Sequence, residues 1–245
     1  GTPAVDESMC LEIRLATDGT NFTTLLASNQ DSTLGGKSYL WTPAAATAQV
    51  TTAKVRVQVP GSSTVKGDSA AFKIKANFSN LAPGNGPNQS YTAKTAIPIT
   101  WSVLPATQPG TVTLKYDTGA GTFPNTISCI DTVGGDGGAV EAADGQCTWP
   151  DTQTDVLSGT VKVKVELDGD AADANAVSTN DFRIKGALAL TTPSSTLTTP
   201  TLTWEIGTSP LLQWTSKGSS LGPVKLSYTL NDGTDLYANL IVDGS

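Results

Sequence analysis

Histidine is absent from the 245 residues, and charge is scarce: 15 Lys+Arg and 22 Asp+Glu make up 15% of the chain, where an ordinary soluble domain carries about 25%. Without histidine there is no Ser-His-Asp or Cys-His nucleophile system, no imidazole general base and none of the usual zinc or iron ligand sets. The net charge of -7 disfavours electrostatic binding of nucleic acid or anionic lipid. Long apolar runs are missing as well, so we expect no membrane span in this segment. The first residues, GTPAVDES, have neither the charged nor the apolar region of a secretory signal. A start at Gly1 without methionine leads us to expect a processed protein or a piece of a longer one.

Polarity comes instead from 37 Thr and 21 Ser, and 24 Gly with 14 Pro favour strands and turns over helices. No apolar pattern at i, i+3, i+4 persists over ten residues, so essentially no helix is expected. Self-similarity is the informative signal. LEIRLATDGTNF (Leu11 to Phe22), VTLKYDTGAGTF (Val112 to Phe123) and VKLSYTLNDGTDLY (Val224 to Tyr237) each read as an alternating strand, a Gly/Asp turn and an aromatic residue. Downstream, Trp41 matches Trp149, AKVRVQV (Ala53 to Val59) matches VKVKVEL (Val161 to Leu167), and SAAFKIK (Ser69 to Lys75) matches TNDFRIK (Thr179 to Lys185). A third block precedes the hairpin, where IPITW ending at Trp101 matches PLLQW ending at Trp214.

Matched positions lie about 101 to 113 residues apart, which gives a unit near 110 residues, the size of one immunoglobulin-like sandwich. The phase divides the chain into a partial repeat over 1–75 holding later strands, a complete repeat over 76–185, and a partial repeat over 186–245 holding early strands. ANFSNLAPGNGPNQS and LTTPSSTLTTPTLT read as linkers, although Leu188, Leu190, Leu197 and Leu202 give the second some strand character.

The order Ile-Thr-Trp, V-x-L-x-Y with a Gly-rich turn, Trp-Pro-Asp, V-x-V-x-V and a closing Phe-x-Ile resembles the Ig-like repeats of large surface and secreted proteins. In pattern it is similar to the Ser/Thr-rich wall-protein repeat named for the Kre9 and Knh1 proteins of fungi, which also occurs in tandem in bacterial exoproteins. The resemblance implies tandem all-β sandwiches with a noncatalytic role in wall or surface assembly, and no active site to carry over.

Candidate sites follow from residue chemistry. Trp41, Trp101, Trp149 and Trp214 recur at matched places and are expected to fill the cores. Trp204 lacks a matching Trp in the middle repeat, where Tyr91 stands nearby, and is the better candidate for an exposed aromatic. Cys129 and Cys147 flank a Gly-rich insertion about seven residues longer than the matching loop of the first repeat. A disulfide across its base is expected, with two buried free thiols as the alternative. Cys10 is left over, either buried or bonded to a cysteine elsewhere. Asp168, Asp170 and Asp173 offer oxygen ligands to Ca²⁺, although turns commonly carry such residues, and Asp136, Glu141 and Asp144 form a weaker cluster. Asn21, Asn77 and Asn88 begin glycosylation acceptor patterns.

The composition and repeats together point to a structural segment of an extracellular fibre, sheath, S-layer or adhesin. It is not an enzyme on this reading, and its partners are itself, neighbouring repeats or cell-wall polysaccharide. The tail carries the opening strands that the head lacks, so head-to-tail strand complementation is one expectation. An excerpt of a longer repeat array is the other, and a carbohydrate-binding accessory module is the rival class.

Overall fold

The computed structural model describes residues 10–30, 38–44, 49–108, 110–133, 138–193, 202–230 and 239–242. The chain is all-β; a single 3-10 turn, Ala142–Asp144, is the only helical element among the described residues.

The first group comprises β1 (Leu11–Ala16), β2 (Thr24–Gln30), β3 (Val50–Gln58), β4 (Lys66–Asp68) and β5 (Phe72–Ile74). They form one antiparallel sheet in the order β2-β1-β3-β4, with β5 also on β3. One face carries Leu15, Ala53 and Ile74 as a small core, with Leu26, Trp41, Val50, Val55 and Phe72 half-buried against it.

The middle group comprises β6 (Asn77–Ala82), β7 (Ser90–Thr92), β8 (Ile97–Leu104), β9 (Val112–Asp117), β10 (Asn125–Ile127), β11 (Gln146–Trp149), β12 (Ser158–Leu167), β13 (Asn175–Val177) and β14 (Phe182–Lys185). These make a sandwich. One sheet runs β11-β8-β6; the other runs β10-β9-β12-β14-β7, with β13 on β12 and β7 parallel to β14. Strict alternation explains the packing, because successive side chains of a strand point to opposite faces. In β8, Ile97, Ile99, Trp101 and Val103 are buried while Pro98, Thr100, Ser102 and Leu104 are exposed. In β12, Val161, Val163 and Val165 point inward and are fully buried. One core joins both sheets, from Phe78 and Ile99 on one side to Leu114 and Phe182 on the other.

The last group consists of two strand pairs, β15 (Ala187–Thr192) with β16 (Gln213–Lys217) and β17 (Leu226–Tyr228) with β18 (Asn239–Val242). Among the described residues no strand pairing crosses from one group to the next.

Strand registers recur between the groups. Ile13, Arg14 and Leu15 lie opposite Val57, Arg56 and Val55; the matched Leu114, Lys115 and Tyr116 lie opposite Val165, Lys164 and Val163. Val50–Ile74 and Ala53–Phe72 correspond to Ser158–Ile184 and Val161–Phe182, with the irregularity at the same place. In the tail, Ala187–Lys217, Leu188–Ser216 and Thr192–Gln213 repeat Asn77–Leu104, Phe78–Val103 and Ala82–Thr100, bulge included. Tyr228–Asn239 and Ser227–Leu240 repeat Leu15–Thr24 and Arg14–Leu25.

The expectation of four core tryptophans needs correction. Trp149 is fully buried and Trp101 is 5% exposed, but Trp41 is half-buried and Trp214 is 42% exposed. The cause is geometric. A sheet buries an apolar face only when a second layer lies on it, and among the described residues no sheet lies over β1-β3-β5 or over β15-β16.

Candidate functional site

The uncovered face of the first sheet forms an apolar groove of about 500 Å³ lined by Leu11, Ile13, Leu26, Trp41, Val55 and Val57, with Gln30, Ser38 and Tyr39 at its side. Sequence matching equates those six residues with Val112, Leu114, Ile127, Trp149, Val163 and Val165. All six of the latter are buried in the sandwich core. The contrast is sharpest at one position: Val57 is 39% exposed and Val165 is fully buried. Trp149 itself lies on β11, and the sheet β6-β8-β11 to which it belongs covers the other five.

The tail shows the opposite half. Leu188, Leu190 and Trp214 on β15 and β16 are exposed, as is Trp204 at 43%. Trp204 stands at the place of Tyr91, which is half-buried edge-on against Phe182 at 5.7 Å between ring centroids. A depression of about 520 Å³ surrounds Trp204, bordered by Glu205, Thr208, Leu211 and Gln213.

A polar joint links the first group to the middle one. Lys73 donates to both Asp170 and Asp173, the latter at 2.7 Å. Lys75 donates to the Asp173 carbonyl at 2.7 Å, and Gln49 bonds Asp170 and accepts from Gln108. Hydrogen bonds from Lys73 hold the Asp173 carboxyl below the ordinary range, and the two carboxylates, Asp170 first, push the Lys73 ammonium up. The second joint is built differently. The Ser219 amide donates to Asp155 at 2.7 Å, and Leu157, the match of Gln49, lies against Gly218.

Two of the calcium candidates thus serve as acceptors for a lysine and a glutamine of the preceding group. Asp168 instead accepts from the hydroxyls of Thr111 and Thr113. Among the described residues no three or more acidic or cysteine side chains are grouped to hold a metal ion. Asp144 caps its own turn by accepting from the Glu141 amide, and Asp136 lies outside the described residues. The remaining buried acids are also employed. Burial pushes Glu166 up, but hydrogen bonds from Lys115 and Lys164 more than offset it and leave it below the ordinary range. Glu12, held down by Arg14 and then Gln58, does the same job on the first sheet from the opposite strand. Arg56 lies 3.8 Å over the Phe22 ring, and the matched Lys164 lies 5.9 Å from Phe123.

Cys129 and Cys147 are bonded, with Cα atoms 5.8 Å apart. The loop they close folds back into the sandwich: Val140 and Ala142 are buried, and the Ala142 carbonyl accepts from the Trp101 indole at 2.9 Å. Cys10 is a free, exposed thiol. Asn21, Asn77 and Asn88 are all exposed.

Sequence reasoning missed the joint, and a signal for it existed. FKIK and FRIK end matched blocks, so a pair of cations recurs just before each boundary. No helix among the described residues is long and apolar enough to cross a membrane. No family model matches the chain, and no curated protein matches it.

Proposed function

We propose that this chain is a noncatalytic structural segment of an extracellular surface fibre, sheath, S-layer or adhesin, built from tandem immunoglobulin-like sandwiches of the Ser/Thr-rich wall-protein kind. The observation that carries the reading is the recurrence of strand registers along the chain, that of β1-β3 in β9-β12 and that of β6-β8 in β15-β16. A repeated supersecondary unit joined by short connections is how a chain makes length instead of a pocket. The immunoglobulin-like assignment is supported by the sheet order, with an early strand (β7) running parallel to the last one (β14) of the middle group. The disulfide favours an oxidising compartment, and the acids are engaged in ion pairs, turns and the joint instead of gathering in a cleft. Head-to-tail complementation between copies belongs to the same reading, with neighbouring repeats as the partners.

Antibodies raised against the chain should label intact source cells, and small-angle scattering should give the extended profile of units in a row. Labelling that needs permeabilised cells would overturn the reading.

A carbohydrate-binding module is the second reading, favoured by exposed Trp204 beside Glu205 and Gln213. Titration with soluble cell-wall polysaccharide should then shift the tryptophan fluorescence saturably, and Trp204→Ala should abolish the shift. An unchanged spectrum in the parent chain rejects this reading.

A further inference from the structure

We infer that the open face of the first sheet is a docking site for the tail of a second copy, which adds a strand in parallel to the edge of β5 through Thr203, Trp204 and Glu205. The inference rests on the structural-repeat reading and names its contact. In the middle group the parallel pair is Arg183 with Ser90, Ile184 with Tyr91 and Lys185 with Thr92. Carried through the repeat, those residues become Lys73 with Thr203, Ile74 with Trp204 and Lys75 with Glu205.

Three observations favour this occupant. First, among the described residues β5 pairs only with β3, and none of them takes the edge that β14 gives to β7. Second, the register sets Lys75 beside Glu205, a cation near an anion where the middle group has Lys185 and Thr92, and the Lys75 ammonium has donors left beyond the one it gives the Asp173 carbonyl. Third, aromatic contacts carry over, since Trp204 would meet Phe72 as Tyr91 meets Phe182. With the edge joined, β15-β16 lies over the groove as β6-β8 lies over β9-β12, and the pairing of Trp149 with Ile97 carries over to Trp41 with Pro210. The tail's β17-β18 hairpin duplicates β1-β2 in register. Its place in the joined sandwich is taken, so it stays outside.

The test places thiols at the two paired positions. Lys75→Cys and Glu205→Cys are both at exposed sites and are introduced together in the full chain, with Cys10→Ser removing the free thiol. Treatment with a short bismaleimide should give a ladder of dimers, trimers and larger species, and either cysteine alone should give no ladder. Mixing isotope-labelled and unlabelled chains before treatment should yield mixed 75–205 cross-linked peptides. Absence of the ladder, or linkage only within one chain, would overturn the inference. A chain that fails this test yet labels on intact cells leaves the structural reading in place; one that passes it but labels only after permeabilisation overturns that reading alone.

Discussion

The sheet built from β1 and β3 and the sheet built from β9 and β12 differ less in themselves than in what lies on them. Their registers agree residue for residue, and both carry a cation over an aromatic ring on the outer face. Yet Val165 is fully buried while its match Val57 is 39% exposed. The same strand pattern therefore makes a finished core in one place and an apolar face in the other. Alternation in a strand specifies which face is apolar; burial of that face requires a second layer elsewhere in the sequence or in a partner.

The tryptophans break the comparison most sharply. Trp149→Ala should cost the middle group about 3–5 kcal/mol, because its ring is fully buried and packed, tilted, against Tyr116 at 4.7 Å between ring centroids. Trp41→Ala in dilute, unassociated chain should cost about 1 kcal/mol, its ring being only half-buried against Phe72. Denaturant unfolding of the two variants checks the ratio; equal losses would mean that the head face is covered after all.

Next in size is the disulfide. Replacing Cys129 and Cys147 by Ser should lower the stability of the middle group by about 3 kcal/mol and leave the first group unchanged. Calorimetry that resolves two transitions should show only one of them moving.

Acid should act on the features that the two groups share. Glu166, Asp117 and Glu12 all titrate below the ordinary carboxylate range in the folded chain. A depressed folded pKa contributes stability that is fully present above the unfolded value, near 4, and is lost as pH falls through the lowered one. Melting midpoints should accordingly stay level from about pH 7 to 5 and drop for both groups together below about pH 4. A decline beginning near neutrality would contradict this assignment of charges.

The joint should give the smallest effect. Lys73→Met removes the donor to Asp170 and Asp173 without touching either core. Melting midpoints should hold, while small-angle scattering should report a broader distribution of particle lengths. An unchanged profile would show that the joint does not orient the two groups.

Much of the strand pattern was legible in the sequence because alternation and turn residues act locally. The matched blocks also foretold which strands correspond, and the Cys129–Cys147 pair followed from an insertion with a cysteine at each end. Exposure of Trp214 was not legible. Its own strand resembles that of Trp101, and the difference lies in the covering layer. The roles of Asp170 and Asp173 were hidden for a similar reason: their partners, Lys73 and Gln49, lie 97 to 121 residues away. Local spacing therefore suggested a cation site where the fold supplies a lysine.

Sedimentation equilibrium of the full chain over a wide concentration range, beside Val57→Asp, tests the central claim that head and tail are complementary halves of one sandwich. The account predicts a weight-average mass that climbs above 25.2 kDa with concentration in the parent chain and stays at 25.2 kDa in Val57→Asp, with both fully folded. A parent chain fixed at 25.2 kDa throughout, or a variant that associates equally well, would contradict it.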